Sequence, residues 1–216
     1  MSHAPLPSRQ APPRINLLPL LFSSLPLLCS AGLIRAADIS PGSVIPPPNV
    51  TLFSNLGQPA SSPSTLFGEI FATGFMTGPD ATLLTGLTLK LANDSPALIE
   101  SAPTFLYDDS SGRPGSLLGT FSPINLRVEP FQLDVLISFG HAGLYLQPHH
   151  AYWIGLTSPD NLGWWNTGSF TSDQGSAGPI QSSPLLPLMI TSDEGATWLD
   201  GPGYTFMYSL SGQVVD

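Results

Sequence analysis

Phe131-Gln132-Leu133-Asp134-Val135-Leu136-Ile137-Ser138-Phe139 sets Phe131, Leu133, Val135, Ile137 and Phe139 on one parity, against Gln132, Asp134 and Ser138. Successive side chains of an extended chain point to opposite faces. A period of two therefore puts one row in an apolar interior and the other in water. The stretch is predicted as a strand with one buried face. Upstream, Leu83, Leu87, Leu89 and Leu91 share one parity while Thr88 and Lys90 take the other. Downstream, Tyr152, Ile154 and Leu156 alternate with Trp153 and Thr157, and Tyr204, Phe206, Tyr208 and Leu210 form another single-parity row. Shorter strand candidates are residues 49–54, 67–76 (anchored by Phe67, Phe71 and Phe75), 104–107, 117–121, 162–166 and 188–191. Roughly nine or ten short strands with no helical period between them predict an all-β domain. The connections are too short for parallel crossovers, so the pairing is antiparallel. An antiparallel two-sheet β-sandwich, jelly-roll-like, buries one face of every strand, and a closed barrel is the alternative.

Composition agrees. The 216 residues include 24 prolines and 21 glycines without a strict period, which excludes collagen and long helices. From Asp38 onward, Lys90, Arg113 and Arg127 stand against all 15 carboxylates, a formal net charge of −12. Such a surface repels phosphate backbones and anionic lipid, so neither nucleic acid nor membrane is an expected partner.

Residues 1–37 read as a secretory signal peptide. Arg9 and Arg14 precede an apolar run from Ile15 to Ile34, and Arg35-Ala36-Ala37 precedes a polar start at Asp38. Cleavage after Ala36 or Ala37 is expected, and an uncleaved anchor is the alternative. The single cysteine, Cys29, lies in this leader, so the rest of the chain relies on packing rather than disulfides. Residues 38–48, with Pro46-Pro47-Pro48, form a stiff linker. The domain proper is expected over residues 49–216, outside the cell or at its surface.

Few residues carry chemistry. Asp108-Asp109 opens a turn, Ser110-Ser111-Gly112-Arg113-Pro114-Gly115, and reads as a solvated turn, with Ca2+ binding as the alternative. His149-His150 reads as a pair of solvated loop histidines, since adjacent residues cannot easily bind one metal ion from a strand. Trp164-Trp165 should place one ring inward and one outward. The outward ring, beside Asn166 and Thr167, is a candidate for stacking on a sugar, and an edge-strand Trp shielded by a loop is the alternative. Thr191-Ser192-Asp193-Glu194-Gly195-Ala196-Thr197-Trp198 fits the Asp-box pattern. Asp193 would accept backbone hydrogen bonds, Gly195 would take a positive φ, and Trp198 would cover the turn. Asp boxes also occur on sialidase propellers, but this chain is too short for six blades, and past the leader it has only Arg113 and Arg127 where such sites use three arginines. There is no Gly-x-Ser-x-Gly elbow. No catalytic residue and no cofactor other than Ca2+ is expected.

In order and spacing, several stretches together resemble the choice-of-anchor R domain of exported bacterial proteins. They are residues 71–78, 83–91, 106–120, 146–148, 152–156 and 192–198, and the resemblance spans about residues 50–210. It implies a β-sandwich module without catalytic residues, often followed by a PEP-CTERM sorting tail. Here the sequence ends Gly212-Gln213-Val214-Val215-Asp216 instead, which favours free secretion over that anchor. The expected function is a non-catalytic structural or interaction module of the bacterial envelope, periplasm or exterior, meeting envelope proteins or polysaccharide. The alternative is a carbohydrate-binding module using Trp164 or Trp165.

Overall fold

Every regular element among the described residues is a β-strand. The computed structural model describes residues 49–215 apart from 67, 125, 158–161, 174–178, 183–185, 187 and 202. The predicted leader with Cys29, the linker and Phe67 lie outside the described residues. Fourteen strands follow in order: β1 Val50–Ser54, β2 Pro63–Leu66, β3 Ile70–Thr77, β4 Ala81–Asn93, β5 Thr104–Asp109, β6 Pro114–Pro123, β7 Val135–Leu146, β8 Ala151–Thr157, β9 Leu162–Thr167, β10 Ile180–Ser182, β11 Met189–Thr191, β12 Leu199–Asp200, β13 Thr205–Phe206 and β14 Tyr208–Val215. All pairings are antiparallel.

The first sheet runs β1-β14-β4-β7, and β9 takes over the edge of β4 beyond β14, with Leu91 opposite Trp164. The second runs β6-β5-β8-β3, with β10 and β11 on the far edge of β3. β6 belongs to both: it pairs with β5 up to Phe121 and with β7 through Ser122 and Pro123. The inward rows of the two sheets meet in one core. Phe71 of β3 stacks on Phe206 of β13 at 5.9 Å between ring centres, and the Thr73 and Thr205 hydroxyls join across the layers at 2.8 Å. The domain is thus a sandwich, as the period of two predicts.

A second apolar cluster covers the outer face of the second sheet. Trp153, Ile70, Ala72 and Tyr107 pack there against Leu186, Met189 and Trp198. This explains why residues 152–156 are apolar on both parities: β8 is buried on both sides.

Two segments depart from the alternating pattern. Leu83 is only half-buried, and Leu84 is the fully buried residue. A bulge between Leu84 and Gly86 shifts the register of β4 against β7 and inverts parity from there toward the strand's start. The quoted stretch is also strand only from Val135. Residues 131–134 are a loop, and Phe131 and Leu133 are 65% and 57% exposed. Pro130 is the cause. The Gln132 N–H donates to the Glu129 carbonyl at 3.2 Å, and Phe131 has φ 59°. Proline followed by a positive φ is the type II turn pattern. Buried Asn93 locks that turn by donating its side-chain amide to the Ala97, Val128 and Glu129 carbonyls at 2.7, 3.3 and 3.1 Å. Local hydrogen bonds of this kind outcompete a ladder the hydrophobic pattern would allow.

Candidate ligand groove

The outer face of the second sheet carries a groove of about 440 Å³ beside the Trp153 cluster. Gly155 on β8 lies beneath three of its lining residues, Ile70, Phe105 and Tyr107. A Cβ there would lie 2.8 Å from Tyr107 and 3.2 Å from Ile70, so glycine lets these side chains rest directly on the strand. Phe105 leans on Tyr107 at 5.9 Å, and Tyr107 meets the Trp198 ring edge-on at 5.7 Å. Burial pushes the Tyr107 phenol above its ordinary pKa. Leu117 of β6, 54% exposed, and Pro103 form the other wall, and Thr157 and Glu194 supply polar groups.

The turn at residues 191–198 forms the rim. Asp193 accepts hydrogen bonds from the Thr191 hydroxyl at 2.6 Å, the Thr197 N–H at 2.9 Å and the Thr197 hydroxyl at 2.5 Å. Gly195 has φ 93° and Glu194 has φ 58°. Trp198 is 7% exposed and closes over Gly195. Its carbonyl accepts from the Arg113 guanidinium at 2.6 Å, and Arg113 also meets Asp200 at 3.3 Å. These bonds tie the rim to the β5–β6 hairpin. Its tip, Ser111 and Gly112, has φ 58° and 81°, as a type I′ turn requires.

The donated hydrogen bonds, led by the Thr191 hydroxyl, hold the Asp193 carboxyl down at about 2, below its ordinary 3.8. A depressed carboxyl contributes stability that is present above the ordinary value and lost as pH falls through about 2. Protection of the Thr197 amide from hydrogen exchange should therefore persist through mildly acidic pH and disappear near pH 2. In Asp193→Asn that acid step should vanish, and a step that survives would assign it elsewhere.

The remaining expected site residues lie apart from the groove. Asp108 and Asp109 are engaged rather than simply solvated. Asp108 meets His150 Nε2 at 2.6 Å, and Asp109 accepts from the Trp153 indole at 2.8 Å and the Gly112 N–H at 3.0 Å. A Ca2+ ion held by both would share these carboxylates with their present hydrogen-bond partners. Among the described residues no group of three or more His, Cys, Asp or Glu gathers as a metal site. His150 is likewise not free in solvent: its ring sits edge-on to Tyr152 at 4.8 Å, while His149 is an exposed turn residue with φ 51°. Trp164 is fully buried, stacked on Phe206 at 4.1 Å, and so cannot meet a sugar. Its strand turns its parity inward because Trp164 lies opposite Leu91 of the core. Trp165 faces outward but is half-buried. Its indole donates to the Leu133 carbonyl at 2.7 Å, and the Lys90 ammonium lies 5.3 Å from its ring centre.

Phe105, Tyr107 and Leu117, which line the groove, carry no site motif in the sequence. The signal was the unbroken apolar run of residues 152–156, which announces a sheet buried on both faces and hence apolar neighbours on its outer side. No known protein family matches this chain, and no curated protein is significantly similar to it.

Proposed function

We propose that the protein is a non-catalytic interaction module, exported to the bacterial envelope or exterior, that presents the groove on its second sheet to a partner. The observation that carries the reading is the apolar lining of Ile70, Phe105, Tyr107 and Leu117 on a sheet face that is ordinarily polar. The hairpin and the Asp193 turn hold its walls in place beforehand, which lowers the ordering cost of binding. The resemblance to choice-of-anchor R modules points the same way. Each described Lys or Arg sits beside a carboxylate (Lys90 with Asp134, Arg113 with Asp200, Arg127 with Glu129), so the surface offered is anionic and the partner neutral or cationic where it meets Glu194.

A second reading, a carbohydrate-binding module, draws on the same groove. Phe105 and Tyr107 suit the apolar face of a neutral sugar, and Thr157 and Glu194 its hydroxyls. A photo-crosslinking residue at Leu117 should capture a discrete partner that is lost in Phe105→Ser. Adducts no different from those of the same probe at exposed Leu199 would refute the groove. On a glycan array, binding that disappears in Phe105→Ser selects the sugar, and binding that responds only to Trp165→Ala moves the site to the first sheet. Turnover of glycoside or ester substrates that is lost in Asp108→Ala would make the protein an enzyme instead.

A further inference from the structure

The groove on the second sheet is lined by three polar side chains that the fold leaves unbonded. Tyr107 is 7% exposed, yet among the described residues its hydroxyl has no hydrogen-bond partner. The Tyr152 and Tyr204 hydroxyls, by contrast, meet the Gln147 N–H at 2.8 Å and the Ser64 hydroxyl at 2.7 Å. A hydroxyl so nearly enclosed and unpaired costs free energy, and a group entering the groove is what can satisfy it. Thr157, at the end of β8, and Glu194, on the rim, line the same groove, and neither side chain is bonded among the described residues. Glu194 differs in this from the carboxylates around it. Asp193 beside it accepts three hydrogen bonds, and Asp108, Asp109 and Asp173 are all engaged. The turn nevertheless holds Glu194 at φ 58°, a region that a residue without a Cβ occupies at less cost. Backbone strain of this kind gathers at binding sites.

Charge decides what enters. Each described Lys or Arg is paired with a carboxylate elsewhere, and none lines the groove. With a formal charge of −12 from Asp38 onward, the field around the free Glu194 carboxylate favours a cation. The walls of Ile70, Phe105 and Leu117 call in addition for a hydrocarbon stem. A lysine side chain supplies both: a four-carbon stem that lies along apolar surface and a compact ammonium with three N–H donors. Tyr107, Thr157 and Glu194 offer acceptors from three separate elements, β5, β8 and the turn. An arginine's flat fork is matched instead to one carboxylate met by two parallel bonds, and a neutral sugar would leave Glu194 without a counter-charge. At about 440 Å³ the groove lies at the small end of ligand pockets, which suits one side chain and its flanking backbone. Taking the groove as the binding face, we propose that it receives a lysine side chain of a partner polypeptide. The stem rests on Phe105 and Leu117, the ammonium pairs with Glu194, and the Tyr107 and Thr157 hydroxyls accept its remaining N–H groups.

Titration of the isotope-labelled full chain with a blocked Gly-Lys-Gly tripeptide, followed by amide chemical shifts, tests this. The Thr157 and Glu194 amides should move, with a dissociation constant in the millimolar range. The norleucine tripeptide, which keeps the four carbons and lacks the ammonium, should bind at least about 10-fold more weakly. Glu194→Gln should weaken the lysine tripeptide by the same factor and leave the melting temperature unchanged. Tyr107→Phe should weaken it about 3-fold yet melt at the same or a higher temperature, because the lost hydroxyl bonds nothing within the fold. General damage to the domain would not give that combination. Equal binding of the lysine and norleucine tripeptides, undiminished binding in Glu194→Gln, or tighter binding of the arginine tripeptide would overturn the proposal. If none of the tripeptides moves these amides while the probe at Leu117 still captures a partner, the lysine assignment alone falls. If that capture fails as well, the groove falls with it.

Discussion

Trp164→Ala should lower the unfolding free energy by about 3–5 kcal/mol, while Trp165→Ala, one residue along the same strand, should cost about 1 kcal/mol or less. The first ring is wholly buried, lies parallel to Phe206 within 5°, and donates its indole N–H to the Met207 carbonyl at 3.0 Å. Truncation removes the stacking contact, opens a cavity between the sheets and takes one of two hydrogen bonds from the Met207 carbonyl, which keeps the Lys90 N–H at 3.2 Å. The second ring lies on the outer face, and its loss gives up one hydrogen bond and one cation–π contact near solvent. Urea unfolding followed by far-UV circular dichroism would measure both. Should Trp164→Ala prove too unstable to purify, Trp164→Phe should show an intermediate cost. Equal costs for the two alanine variants would contradict the placement of the strand.

Gly212→Ala should cost about 3 kcal/mol or more, for a different reason. A Cβ at this position would stand 2.1 Å from the Leu83 carbonyl oxygen and 3.0 Å from Leu52. The first obstacle is backbone of the neighbouring strand, so no rotamer change relieves it. β14 has to move away from β4 just where both strands shift register, between Ser211 and Gly212. Gly168→Ala is the control. Nothing lies within 4 Å of its Cβ position, so its effect should stay within about 0.5 kcal/mol. Thermal melts of the two variants would separate them, and similar melting temperatures would refute the close approach of β14 to β4.

Much of this arrangement could be read from side-chain order alone. Leu87, Leu89 and Leu91, and likewise Phe206, Tyr208 and Leu210, lie in the core as their parity demands. The turn at residues 110–113 forms where Ser and Gly allow positive φ. The structure departs from the pattern where one local rule opposes another. Pro130 ended a stretch whose hydrophobic pattern suited a strand, because a proline turn saturated by the Asn93 amide satisfies the backbone without a ladder. The bulge at Leu84 reversed the facing of Leu83, and no composition cue marks the residue at which parity slips.

The sequence by itself determined that the chain would fold into paired strands with one row of side chains inward, because the period of two is a property of the backbone. It also determined the anionic character and the tight turns. Only the tertiary structure decided which tryptophan is buried, which carboxylates find partners and where the aromatic groove opens. Those outcomes depend on register and on segments such as the one bearing Leu186 and Trp198 that come to lie across the second sheet. Contacts between residues distant in the chain are set by how the sheets and loops pack as a whole, and no local pattern encodes that packing.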